Sequence, residues 1–348
     1  MTISIGKWRG LQRISDGAGH YMMLAADQRP PIKNPIARHF PDGIAPYTEV
    51  ARFKRMLVDV LQAHASAVLL DPYYCLSSAL LDLRADKGLI VTLEDSVFQE
   101  TPGGRLSSVI PDWSVEKIKA MGADAVKVLA WYRPDAAAQV LDHQQRFVRQ
   151  IGDACRQFDI PFLLELLVYP MEGEDEAGKG YEEMSGKKAE QVIDSVREFA
   201  DPKYGVDIFK LECPLSSSAF PAVGAPGSAQ AHDLFKELDR LVARPWVMLS
   251  AGAGAGDFRN VLEHACRAGA SGFLAGRAIW QEAFSAYPDW DRIEAGLRSD
   301  SLRVLQDLAQ LTAQTGSGKA SAKAIAGLQA NLSAMQGDAV SAYQSQTA

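Results

Sequence analysis

The chain has 348 residues, with 36 Lys plus Arg against 43 Asp plus Glu, a net charge of -7 and a composition 47% hydrophobic and 23% charged. That balance excludes disorder of the whole chain and leaves ample apolar material for a large core. No apolar run nears the ~20 residues of a membrane span, and no Lys/Arg-dense block offers a general nucleic-acid surface, so neither a membrane nor a nucleic acid is expected as a partner.

Met1 to Gly10 carries no apolar signal core, so a cytoplasmic protein is expected. Cys75, Cys155, Cys213 and Cys266 have no CxxC spacing and read as buried thiols. His20, His39, His64, His143, His232 and His264 are equally scattered, with no HxH or HExxH, so no histidine-based metal site is expected.

Eight short apolar runs rich in Val, Ile and Leu follow along the chain. The first, Tyr21–Ala26, and the second, Ala67–Asp71, are separated by an amphipathic helical pattern at Glu49–His64. Leu89–Leu93 is third, and the pattern Ser114–Met121 leads to the fourth, Ala125–Ala130. Helical Gln139–Gln157 precedes the fifth run, Phe162–Val168, and helical Lys187–Ala200 precedes the sixth, Val206–Leu211. Trp246–Ser250 is seventh, helical Phe258–Arg267 follows it, and Gly272–Gly276 is eighth. Continuous apolar runs of this length suit parallel strands covered on both faces. Their alternation with helices predicts a (β/α)8 TIM barrel, an α/β fold. A doubly wound open sheet is the second choice, but no GxGxxG turn follows the first run.

Extended loops are expected at Glu172–Lys187 after strand five and Pro214–Ala231 after strand six, both at strand C-termini, where barrel sites are built. Residues 1–315 are assigned to one barrel domain and 316–348 to a tail, partly helical or disordered. The sequence leaves the oligomeric state open, a homo-oligomer included.

Polar residues stand at or near almost every strand end: Asp27, Asp71, Glu94 with Asp95, Lys127, Glu165, Lys210 with Glu212, Ser250, and Gly276 with Arg277. Inside a core such groups cost several kcal/mol unless paired, so they belong at the open end of the barrel. Lys210 lies within Val206-Asp207-Ile208-Phe209-Lys210-Leu211-Glu212, and alternation puts it on a face with Ile208 and Glu212. Lys127, in the fourth strand, can supply a second cation from across the barrel. Two interior lysines suit Schiff-base chemistry, and they suit lysine–carboxylate pairs with Glu165 or Glu212 equally well. Leu249-Ser250-Ala251-Gly252-Ala253-Gly254 and Leu274-Ala275-Gly276-Arg277 are Gly-rich turns after strands seven and eight, the usual phosphate site of a barrel. Arg277 can clamp a phosphate with two donors, although plain turn chemistry also accounts for the glycines.

A resemblance joins these pieces. Leu24-Ala25-Ala26-Asp27-Gln28-Arg29, Leu93-Glu94-Asp95-Ser96, Val126-Lys127-Val128-Leu129, Pro161-Phe162-Leu163-Leu164-Glu165, Gly205 through Pro214, Leu249-Ser250-Ala251-Gly252 and Gly276-Arg277-Ala278-Ile279-Trp280 occur in that order. Together they resemble the class I tagatose 1,6-bisphosphate aldolase family, whose relatives include sulfofructose-1-phosphate aldolases. The resemblance runs from about Tyr21 to Tyr287. It implies a Schiff-base lysine at Lys210, an assisting lysine at Lys127, an acid/base glutamate at Glu165 and a first-strand aspartate at Asp27. It gives the phosphate of the dihydroxyacetone-phosphate half to Ser250, Gly252, Gly276 and Arg277. A phosphorylated ketose, tagatose 1,6-bisphosphate or sulfofructose 1-phosphate, is the implied substrate, with no cofactor and no metal. Alternatives are a sugar-phosphate isomerase, a transaldolase-like transferase, or a barrel that only senses sugar phosphates.

Two positions depart from that family's pattern. Pro30-Pro31 stands where a glycine and a more helical continuation are expected, and Pro170 where an acidic residue is common. Gln28 and Arg29 are assigned to the far end of the substrate, in a turn that Pro30 and Pro31 stiffen. Arg29 can meet a phosphate or sulfonate there, or merely pair with Asp27 or Asp71.

Overall fold

Every one of the eight apolar runs becomes a strand. In the computed structural model these are β1 (Tyr21–Ala25), β2 (Ala67–Leu70), β3 (Gly88–Thr92), β4 (Ala125–Trp131), β5 (Phe162–Leu167), β6 (Ile208–Leu211), β7 (Trp246–Leu249) and β8 (Gly272–Ala275). Each strand pairs in parallel with the next, and β1 pairs with β8, so the sheet closes into the expected (β/α)8 barrel. The structure describes residues 3–318 apart from 172, 175–183 and 185, together with 328, 329, 332, 333, 338, 340 and 341. Most of the tail expected at 316–348, and most of the Glu172–Lys187 loop, therefore lie outside the described residues. Among the described residues no helix is long and apolar enough to cross a membrane.

The two faces of the strands explain the continuous apolar runs. Outward residues such as Leu24, Val68, Val126, Leu164, Phe209 and Phe273 pack against the helices in one core. Inward residues, among them Ala25, Leu69, Ile90, Ala125, Leu163, Ile208, Val247 and Leu274, fill the barrel in another. Closure depends on Gly272, whose φ is +138° and where a Cβ would fall 2.0 Å from the Tyr21 carbonyl oxygen. Any side chain there would push β8 off β1.

The helices are α1 (Ile5–Ile14), α2 (Pro30–Ala37), α3 (Tyr47–Leu61), α4 (Val115–Ala120), α5 (Ala138–Gln157), α6 (Ala189–Phe199), α7 (Ser228–Leu241), α8 (Ala255–Ala268), α9 (Arg277–Phe284), α10 (Trp290–Gly296) and α11 (Leu302–Thr315). The five helical patterns of the sequence correspond to α3, α4, α5, α6 and α8, with shifted ends. Two expectations need correction, and one further element joins the fold. Pro30-Pro31 opens α2, because proline tolerates the first helical turn, where its missing N–H has no partner to lose. The loop after β6 stops at Gly227, in a left-handed conformation (φ +81°), and α7 takes over at Ser228. Between β3 and α4 a short hairpin pairs Gln99–Thr101 with Gly104–Leu106, strands too brief to stand out as an apolar run.

Candidate active site

Strand alternation builds the site. Ala125, Leu163 and Ile208 all face the interior, and two residues further along β4, β5 and β6 the next inward positions are Lys127, Glu165 and Lys210. Parallel register sets Glu165 directly beside Lys210. Lys127 pairs instead with Leu163, one inward step below Glu165. All three side chains are buried.

A single carboxylate oxygen joins the two lysines. Glu165 Oε2 lies 2.9 Å from Lys210 Nζ and 2.9 Å from Lys127 Nζ. Lys127 also donates to Asp27 Oδ2 at 2.9 Å and to Glu94 Oε1 at 2.5 Å, so its ammonium sits where three carboxylates converge. Glu94 is fixed from behind by Thr92 Oγ1, which donates to its other oxygen at 2.5 Å. Of the two carboxylates the spacing offered Lys210, Glu165 is thus the one it meets. Glu212 lies past the end of β6, where alternation no longer holds, and accepts from Lys187 Nζ at 2.8 Å and from the Val168 amide at 2.7 Å.

The charges separate the three acids. Burial by itself would raise the Asp27 carboxyl, but Lys127, with Lys210 and Lys54, outweighs it and holds the group at about 2. Glu165 is likewise lowered: Lys127 and Lys210 overcome its burial. Glu94 goes the other way, because burial and the neighbouring Asp27 charge exceed the pull of Lys127. The Lys127 ammonium is buried too, yet Asp27, Glu165 and Glu94 raise it well above the ordinary lysine value. Carboxyls pushed apart in this way mark sites that hold and move protons.

Around these groups is a cavity of about 570 Å³, its open mouth included, within the usual range for small-molecule sites. Asp27, Glu94, Lys127, Glu165 and Lys210 line it, with Leu129, Leu167, Leu249 and Leu274 as apolar lining. Ser250, Gly276 and Arg277 lie on the β7–β8 side, and Gln28, Arg29, Pro30 and Pro31 on the β1 side. Every residue assigned to the site from the sequence therefore faces this cavity except Gly252. Gly252 has φ +86°, and a Cβ built on it would lie 3.1 Å from Arg277 Nη1. Its lack of a side chain lets the guanidinium lie against the turn after β7. Gly276 is equally confined, its would-be Cβ 2.7 Å from the Ala25 carbonyl oxygen and 2.7 Å from Gln28 Nε2.

On the β1 side, buried polar atoms lack hydrogen bonds among the described residues: Asp27 Oδ1, Gln28 Oε1, and Arg29 Nε and Nη1. Arg29 meets neither Asp27 nor Asp71. Its Nη2 donates to the Glu94 carbonyl at 2.8 Å, its Nη1 stands 3.9 Å from Asp95, and its guanidinium lies 5.9 Å from the Tyr73 ring centroid. Buried donors and acceptors without partners cost energy that a bound ligand recovers. Glu94 and Ser96 also line the cavity. The sequence places Glu94 at a strand end without singling it out, since spacing alone cannot distinguish it from Asp95.

Known proteins resemble this chain in both sequence and fold. The sequence model of the DeoC/LacD family aldolases matches residues 21–282. A tagatose 1,6-diphosphate aldolase from Listeria innocua is 34% identical over 293 residues, 82% of this chain and 85% of its own length. Tagatose 1,6-diphosphate aldolase 1 from Streptococcus mutans is 30% identical over 323 residues, 90% of this chain and 98% of its own. Among solved structures, a Schiff-base-forming fructose-1,6-bisphosphate aldolase shares the fold with a TM-score of 0.56 at 18% identity, over 87% of this chain and 98% of that one. The fructose-bisphosphate aldolase of Plasmodium falciparum does so with a TM-score of 0.66 at 10% identity, over 91% and 98%.

Proposed function

The chain belongs to the DeoC/LacD family of aldolases, and on that premise we propose that it cleaves a phosphorylated ketose through a Schiff base on Lys210. The observation that carries this reading is the Glu165 oxygen shared between Lys210 and Lys127. A lysine attacks a carbonyl only as the neutral amine. Glu165 takes the proton from the Lys210 ammonium, and the freed amine adds to C2. The added nitrogen passes a proton to the C2 oxygen to give the carbinolamine, and Glu165 then returns its own proton to that hydroxyl, which leaves as water and gives the iminium. Next the C4 hydroxyl loses its proton to Glu165, the C3–C4 pair flows to the iminium nitrogen, and the aldehyde departs. The enamine takes a proton at C3, and water releases dihydroxyacetone phosphate and regenerates Lys210. Lys127 keeps a fixed positive charge beside Glu165, and Asp27 orients Lys127 and a substrate hydroxyl.

Ser250, Gly276 and Arg277 would hold the C1 phosphate, with Gly252 making room for the Arg277 guanidinium. The other end of the sugar then reaches Gln28 and Arg29. The donors on Arg29 Nε and Nη1 suit three oxygens of a phosphate or a sulfonate, as in tagatose 1,6-bisphosphate or sulfofructose 1-phosphate. The test is a turnover screen of tagatose, fructose and sulfofructose phosphates that reads dihydroxyacetone phosphate. Release from a disubstituted ketose, lost in Lys210→Ala, supports the reading; no release from any of them contradicts it. Arg29→Ala is expected to impair the 1,6-disubstituted sugar selectively. Equal loss on a ketose 1-phosphate would move the far pocket elsewhere.

A further inference from the structure

Helix α3 turns an apolar face to the barrel, with Val50, Phe53, Leu57, Val58 and Leu61 buried, and within that face stands one lysine. Lys54 is wholly buried, as is its partner Asp71, just past the end of β2. The Lys54 ammonium donates to Asp71 and, at 2.8 Å, to the carbonyl oxygen of Ala26. Ala26, immediately after β1, is tied to β2 by its amide, which donates to the Leu69 carbonyl at 2.9 Å. Its own carbonyl is taken by Lys54, and the next residue is Asp27. On the other side, Trp280 Nε1 from α9 donates to the Ala25 carbonyl at 3.2 Å. Side chains from two outer helices thus secure the two peptide oxygens immediately before Asp27.

Asp71 extends the same network. Its second oxygen accepts from the Tyr73 and Tyr74 amides, both at 2.9 Å, and so sets the loop whose Tyr73 ring flanks Arg29. Lys54 also adds to the positive field that keeps Asp27 ionised. A buried ion pair contributes little net stability against apolar residues of the same shape. Here it spans from an outer helix to the one strand end from which Asp27 reaches Lys127.

We propose that Lys54 and Asp71 are positioning residues for the aldol reaction: they hold the end of β1 so that Asp27 engages Lys127, and they act through Asp27 without touching substrate. The inference rests on the aldolase reading above. The test is the charge-free pair Lys54→Met with Asp71→Asn, in which the amide oxygen that replaces the carboxylate still accepts from both loop amides. The expected result is a folded protein whose kcat falls about ten- to a hundredfold, the cost of a small misplacement in the site, with KM little changed. In an Asp27→Asn background the same pair should change kcat by less than about twofold, because the residue it acts through is gone. An unchanged kcat, or the same loss in both backgrounds, overturns the proposal. If the pair does not fold, Lys54→Arg replaces it; it keeps the charge but exchanges the single ammonium on Ala26 for a planar fork. The same fall in kcat at constant KM is then expected, and wild-type kcat would overturn the proposal. Borohydride labelling of Lys210 in the wild-type protein separates the two questions. Without labelling the aldolase mechanism fails, whereas labelling with an unaffected variant defeats only the positioning role.

Discussion

Both ends of the barrel bury ion pairs, and the two ends are built differently. At the bottom, α1 forms a plug across the strand N-termini, and the carboxylates there accept from backbone amides as well as side chains. Asp207 takes Lys7 Nζ at 2.7 Å and the Phe162 amide at 2.9 Å. Asp124 takes Arg13 Nε at 2.5 Å and the Leu89 amide at 2.8 Å. Asp159 accepts the Gly6 and Lys7 amides and the Ser4 hydroxyl. Such pairs combine side chain and backbone and fasten the plug. At the mouth, Lys127 and Lys210 divide three carboxylates between them, and the neighbouring Asp27, Gln28 and Arg29 each keep buried polar atoms without hydrogen bonds. Charge by itself does not mark a site; at the mouth the charges converge on one shared carboxylate oxygen and face a cavity.

That contrast can be broken from either end. Glu165→Gln removes the carboxylate common to both lysines, and kcat should drop roughly 10²–10⁴-fold, the range for losing a general acid/base, with a lower melting temperature as well because the buried Lys210 loses its charge partner. A kcat near wild type would mean that another group moves the protons. Lys7→Met at the bottom strands the buried Asp207 and should destabilise the fold by about 3–5 kcal/mol while leaving kcat unchanged below the melting transition. A kcat loss in the folded variant would show that the plug also shapes the mouth. Arg277→Ala should raise KM for a C1-phosphorylated ketose about ten- to a hundredfold, the equivalent of a charge-assisted contact worth roughly 1.5–3 kcal/mol. Unchanged steady-state kinetics would remove Arg277 from the phosphate site. The smallest effect should be that of EDTA, because the iminium serves as the electron sink and the Lys127 ammonium already lies among the three carboxylates. Activity lost to chelation and restored by zinc would point to a metal-stabilised enolate.

Much of this architecture is legible in the sequence. Buried parallel strands must be apolar on both faces, so all eight appear as short Val/Ile/Leu runs, and the departures Lys127, Glu165 and Lys210 stand out within them. Where the strands end, alternation no longer guides. Glu212 follows Lys210 by two residues, yet meets Lys187 from the chain segment before α6. Glu94 reaches Lys127 only because β3 neighbours β4, a pairing that spacing along one strand cannot convey. Pro30-Pro31 reads as a stiff turn from its ring chemistry and proves to be a helix start, the other position where proline is at ease. Lys54 is the plainest omission: a lysine in a helical pattern looks solvated until the fold turns that face inward.

The central claim is that the Lys210 amine becomes covalently bound to the ketose. The most direct measurement is borohydride reduction during incubation with a ketose bisphosphate, followed by peptide mass analysis. Irreversible inactivation is expected, with one substrate-derived adduct on the peptide carrying Lys210 and none in Lys210→Ala. An adduct on Lys127 or another lysine, or turnover that borohydride does not trap, would contradict the claim.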